Sequence, residues 1–121
     1  MKNAIVLQRL ALFLATILLA MYLWGNDQPE AAGLIPTPWD KLAHLLWYAV
    51  LSSLLLFALG HRIWTWVLAA ILLLLAGLDE WHQFAMPGRS PDVNDWLADA
   101  LGVLAGVAIV WRWRLRANLN S

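Results

Sequence analysis

Cysteine is missing from the 121-residue chain, and with it go disulfides, thiol catalysis and lipid attachment through sulfur. Charge is scarce: Asp, Glu, Lys and Arg make up 13% of the residues, and eight basic side chains balance eight acidic ones. A net charge of zero, with the arginines at the ends of apolar runs rather than in a patch, excludes a nucleic-acid-binding surface. No low-complexity tract or separate polar domain interrupts the chain. The ~10-residue alternating segments of a membrane barrel are also lacking. What the chain has is hydrophobicity: 62% apolar residues and a mean hydropathy of +0.65, far from the composition of a water-soluble domain.

The apolar residues fall into blocks that predict spans at roughly 4–24, 39–59, 63–84 and 91–113. Each approaches the ~20 residues that a helix needs to cross a bilayer, and in lipid the helix satisfies its own backbone hydrogen bonds. The expected fold is therefore all-α: one transmembrane domain over residues 1–121, a polytopic bundle of four helices. The first block follows Lys2 and Arg9 but is longer than a leader's apolar core, and no small-residue cleavage site precedes Gly25-Asn26-Asp27. It reads as a retained span. If the spans alternate, Lys2, Arg9, Arg62, Arg112, Arg114 and Arg116 share one side, and Lys41 and Arg89 the other. The positive-inside rule then predicts that both termini are cytoplasmic. Trp24, Trp39, Trp81 and Trp96 fall near the expected outer ends, and Trp64, Trp66, Trp111 and Trp113 near the inner ones, as interfacial rings prefer. The short connection Gly60-His61-Arg62 predicts that the second and third spans are antiparallel neighbours.

Ionisable residues recur at helical spacing where these spans begin. Asp40-Lys41-Leu42-Ala43-His44 and Asp95-Trp96-Leu97-Ala98-Asp99 follow nearly one pattern. Asp40, His44, Tyr48 and Ser52 share one face of the second span. Asp95, Asp99, Gly102 and Gly106 share one face of the fourth, where GxxxG predicts close approach of another helix. Thr37, as N-cap before Pro38, is expected to open the second helix with Asp40 completing a capping box. Ser90, before Pro91 and Asp92, is expected to open the fourth. On the third span Ala76, Glu80 and Gln83 line a face, with Asp79 and His82 beside them. Met86-Pro87-Gly88 predicts a turn. Arg89 follows it, and its planar fork suits a carboxylate or a phosphate equally.

Taken in order, Asp40-Lys41-x-x-His44, Asp79-Glu80-x-x-Gln83, Pro87-Gly88-Arg89, and Asp95-x-x-x-Asp99 followed by Leu101-Gly102-x-x-x-Gly106 resemble the VanZ-like family of small bacterial membrane proteins. The likeness covers roughly residues 39–107. Asp99 stands where the family pattern usually has Asn. The resemblance implies a multi-pass protein of the bacterial plasma (inner) membrane with a role in the cell envelope. The founding member is associated with low-level resistance to the glycopeptide teicoplanin, a phenotype not carried over to this chain.

Two readings of the polar residues stay open. In one, an outward-facing pocket binds or acts on a lipid or a lipid-linked cell-wall precursor. His44, oriented by Asp40, is then the general base, Glu80 or Asp95 the acid, and Arg89 a phosphate clamp, with Gln83, Tyr48 and Asp99 completing the ligand site. Membrane lipids are the expected partners. A divalent metal held by Asp40, Glu80 and Asp95, with or without His44, is chemically reasonable, since hard cations take clustered carboxylates, but no nucleophile motif is visible and no tight metal signature such as HExxH, so no metal or other cofactor is assigned, and no oligomeric state. In the other reading the protein is a non-catalytic scaffold or partner-binding protein whose polar side chains join helices structurally. Ion transport fits less well, because below Ser52, Gly77 and Asp99 the spans are Leu, Ala, Val and Ile, which interrupts a conducting path.

Overall fold

The computed structural model describes residues 2–31, 33–60 and 63–119. His61 and Arg62, part of the expected second connection and of its charge pattern, lie outside the described residues. Regular structure among the described residues is entirely helical: α1 (Lys2–Asn26), a 3-10 turn (Pro29–Ala31), α2 (Trp39–Leu59), α3 (Thr65–Gln83) and α4 (Val93–Leu119). All four long helices are long and apolar enough to cross a membrane. Set beside the expected spans, α1 extends beyond 4–24 at both ends, α2 covers 39–59, α3 lies inside 63–84, and α4 starts inside 91–113 and extends beyond it at its C-terminal end.

Neither helix start uses the expected cap. Helix α2 begins at Trp39, with Pro38 in the flanking position and no side-chain cap. The amides of Trp39 and Asp40 already donate to the Pro36 carbonyl, at 2.9 and 3.3 Å, so the first turn needs no capping box. Thr37 instead places its hydroxyl 3.3 Å from Asp40 Oδ2. Helix α4 is capped not by Ser90 but by Asp92, whose Oδ1 accepts the Asn94 amide at 2.8 Å. Asp92 is fixed in that flanking role from outside, because its own amide donates to Glu80 Oε2 of α3 at 3.0 Å. The expected turn is present: the Arg89 amide donates to the Met86 carbonyl at 3.2 Å, and Gly88 takes the positive φ of 75° that favours glycine.

Helices α2 and α4 form the most extensive interface, and the glycine stripe explains it. A Cβ on Gly102 would collide with the Leu45 carbonyl oxygen, and one on Gly106 with Ser52 Oγ. Each glycine thus lets the α2 backbone come closer than any side chain would allow. The contacts keep one register: Lys41 meets Asp95, His44 meets Asp99, Gly102 lies on Tyr48 and Gly106 on Ser52. A near-constant offset along both chains is the signature of parallel helices. At the far end Arg114 Nη2 donates to the carbonyls of Leu56 (2.9 Å) and Gly60 (3.2 Å), closing the C-terminus of α2.

The outer helices attach to this pair. Helix α1 packs on α2 and buries Ala11 and Ala15. Helix α3 packs on α4, where the indole of Trp96 donates to the Leu73 carbonyl at 3.1 Å and Gly77 leaves room for its ring. Helices α2 and α3, expected as neighbours from their short connection, approach each other much less than either approaches α4. The glycine face of α4 takes the close position against α2. Tyr48, Leu51, Leu56, Leu72, Ala76 and Val103 form the centre of the core.

Candidate functional site

Alternation along the chain brings the C-terminal ends of α1 and α3 to the N-terminal ends of α2 and α4. Nearly all the ionisable residues singled out in the sequence meet at this end. A cavity of about 750 Å³ opens here. Its polar wall includes Asp40, His44, Gln83, Arg89 and Asp95, and its apolar wall Met21, Leu34, Ile35 and Trp47. Tyr48, Glu80 and Asp99 are not part of the lining and lie buried behind it.

Lys41 organises the mouth of the site. Its ammonium donates to Asp40 Oδ2 at 3.1 Å, to Asp92 Oδ2 at 2.7 Å and to Asp95 Oδ1, tying the start of α2 to the start of α4. Three carboxylates on one ammonium use all three of its donors. Asp92, in the segment between the helices, has its carboxyl held below the usual carboxylate range, first by the Lys41 ammonium and then by the Asn94 amide.

One turn deeper, His44 Nδ1 lies 2.8 Å from Asp99 Oδ1. The expected orienting group was Asp40, a turn earlier on the same helix. Asp40 instead turns to Lys41 and Thr37, and the parallel register brings Asp99 across from α4. Asp99 is fully buried, and its Oδ2 has no hydrogen-bond partner. Tyr48 is fully buried as well, its ring edge-on to Tyr22 with centroids 5.7 Å apart.

Glu80 and Gln83 are buried on α3. Glu80 holds the start of α4 through Oε2, while its Oε1 has no partner. Gln83 Nε2 is 3.4 Å from Asp79 Oδ2, the same oxygen that accepts Tyr22 Oη (3.0 Å) and Asn26 Nδ2 (2.7 Å) from α1. Arg89 is not a salt-bridge partner of the cluster: among the described residues no carboxylate lies within ion-pair distance of it. Its Nη2 reaches the Gln28 carbonyl at 3.5 Å and its Nε is buried without a partner.

Lys41, Asp79, Tyr22 and Asn26 were not among the expected site residues. In the sequence Lys41 stands as a charge on one side of the membrane and within Asp40-Lys41-x-x-His44, and Asp79 beside Glu80 within Asp79-Glu80-x-x-Gln83, neither with a site role of its own. The i, i+4 pairs Tyr22/Asn26 and Asp79/Gln83, each closing a helix at the same end, were the available signal. Among the described residues no three His, Asp or Glu side chains converge as metal ligands would. The Lys41 ammonium sits where Asp40, Asp92 and Asp95 come together.

The family model described as VanZ/LLP1 matches residues 3–115, nearly the whole chain. No curated protein and no solved structure matches.

Proposed function

This chain belongs to the VanZ/LLP1 family and is a multi-pass membrane protein, and we propose that its cavity binds the headgroup of a lipid or lipid-linked cell-wall precursor. The site would face outward from a bacterial plasma membrane. One observation carries the reading: a single cavity joins a guanidinium with no carboxylate partner among the described residues, and a His44 ring backed by Asp99, to an apolar wall of Met21, Leu34 and Ile35. Headgroups need the first wall and acyl chains the second. The fork of Arg89 suits phosphate oxygens. With Nδ1 engaged by Asp99, Nε2 is the ring nitrogen of His44 left to a ligand, the orientation used where a carboxylate positions a general base.

The test is mass spectrometry of lipids retained by the full chain in gentle detergent, compared with Arg89→Gln. A retained lipid that falls about tenfold, the loss of one charge-assisted hydrogen bond or more, supports the reading. If a turnover assay follows, His44→Gln that keeps the ligand but loses turnover assigns chemistry, and loss of the ligand alone assigns binding.

The saturated ammonium of Lys41 favours a second reading, in which the polar end is an interhelical network of a non-catalytic scaffold. Under it, Asp95→Asn lowers stability and Arg89→Gln leaves the lipid content unchanged.

A further inference from the structure

The polar wall of the cavity carries both signs of charge, and this narrows the ligand. On the α2–α4 side the lining carboxylates are Asp40 and Asp95. Both are bound to Lys41, but that ammonium is shared with Asp92 too. One positive charge among three carboxylates leaves this part of the polar wall negative. Facing the same space, Arg89 has no carboxylate partner among the described residues, and its Nε is buried and unpaired.

A partly buried guanidinium without an anion is unfavourable, so Arg89 calls for a phosphate or carboxylate. A simple phosphate, however, would carry its negative charge towards Asp40 and Asp95, where repulsion grows as water is displaced. A simple cation would be repelled by Arg89 in turn. A ligand bearing both charges satisfies Arg89 and the aspartates at once. An ammonium that retains N–H groups can also donate to the carboxylates, which a quaternary ammonium cannot.

We infer that the cavity takes a phosphate ester carrying a primary ammonium, the phosphate on Arg89 and the ammonium on Asp40 and Asp95. This rests on the headgroup reading above and adds the charges that the headgroup bears. An aminophospholipid such as phosphatidylethanolamine and a soluble phosphoethanolamine ester share this chemistry. Met21, Leu34 and Ile35 along the cavity favour the lipid, since they give its chains an apolar contact.

The full chain is mixed in detergent with equal amounts of dioleoyl phosphatidylethanolamine, phosphatidylcholine and phosphatidylglycerol, and each bound lipid is quantified by native mass spectrometry. The ethanolamine lipid is expected to exceed each of the others about tenfold. Arg89→Gln lowers retention of all three. Asp40→Asn removes the preference among them and keeps the phosphate-dependent part, with Asp95→Asn as a second variant at the same wall. Helical circular dichroism and monodisperse elution show that each variant folds. Phosphatidylglycerol bound as well as the ethanolamine lipid, and lost in Arg89→Gln, overturns the zwitterion while the headgroup reading stands. No lipid held above the Arg89→Gln level overturns both. Glycerophosphoethanolamine, the same headgroup without chains, is added as competitor: a requirement for large excess assigns the lipid, and binding of this soluble ester with no lipid retained overturns the lipid as the source.

Discussion

Lys41 is the residue on which the polar end turns, and it shows how one cation can join two helices. Its ammonium lies between Asp40 of α2, Asp92 at the cap of α4 and Asp95 in the first turn of α4. Removing it leaves carboxylates facing each other across the α2–α4 mouth. Lys41→Met is expected to lower stability at neutral pH by about 1–2 kcal/mol, the worth of charge-assisted hydrogen bonds discounted for partial exposure. The acid limb gives an independent check. Asp92 has its carboxyl held below the ordinary 3.8, chiefly by Lys41. A lowered carboxylate contributes stability that is present above the ordinary value and is lost as pH falls through the lowered one. The parent protein should therefore lose part of its stability below about pH 4, and Lys41→Met should lose less on the same acidification. Thermal unfolding in detergent at pH 7 and pH 3 measures both. An unchanged neutral melting temperature would mean that the ion cluster contributes nothing to holding the helices together.

At the scale of the element, the parallel pairing of α2 with α4 sets everything deeper than Lys41. Its register depends on two glycines, and they differ in how they tolerate a methyl group. At Gly102 the obstacle is the Leu45 carbonyl oxygen with the Ala49 amide nitrogen at 3.1 Å, which is backbone and cannot move aside. At Gly106 the nearest obstacle is Ser52 Oγ, a side-chain atom, with the Ala49 carbonyl at 2.9 Å behind it. Gly102→Ala is expected to destabilise the bundle by about 1–3 kcal/mol, as overpacking does. Gly106→Ala should cost less, and Ser52→Ala should relieve part of it while doing nothing for Gly102→Ala. The four melting temperatures decide this, and equal rescue of both glycine variants would contradict the register described here. The same pairing explains what the sequence could disclose. The stripes Asp40–His44–Tyr48–Ser52 and Asp95–Asp99–Gly102–Gly106 were legible because helical spacing alone puts each set on one face. Which residue of one stripe meets which of the other was not, because that offset follows from how closely the backbones approach. His44 was consequently matched to Asp40 on its own helix rather than to Asp99 across the interface. The caps failed to be legible for a related reason: Glu80, remote in sequence, holds the Asp92 amide, and no local pattern at Ser90 encodes a contact from another helix.

For the whole molecule, the helix count and the apolar spans followed from hydropathy because a bundle of this size leaves most side chains facing outward, so composition survives into structure. The joining of α1 to α3 did not, since it passes through Tyr22 and Asn26 on Asp79, a meeting of side chains far apart in the sequence. Sidedness is a property of the whole molecule as well, and charge argues for one answer. Lys2 and Arg9 of α1 and Arg112, Arg114 and Arg116 of α4 lie towards the end opposite the cavity, whereas among the described residues the cavity end carries Lys41, surrounded by carboxylates, and Arg89. Exposed Trp24, Trp39 and Trp81 ring the cavity end, and exposed Trp64, Trp66, Trp111 and Trp113 the other, so each end has the aromatic belt of an interface. On the positive-inside rule the expectation, in line with the proposal above, is a cavity that faces outward. Because the chain has no cysteine, one introduced thiol reports its own side without background. Glu30→Cys, in the exposed segment between α1 and α2, is expected to react with a membrane-impermeant maleimide in intact spheroplasts of a bacterial host. Leu119→Cys, exposed at the end of α4, should react only after permeabilisation. The opposite pattern would turn the cavity towards the cytoplasm, and its ligand would then have to come from the inner leaflet or from soluble phosphate esters rather than from the outer surface.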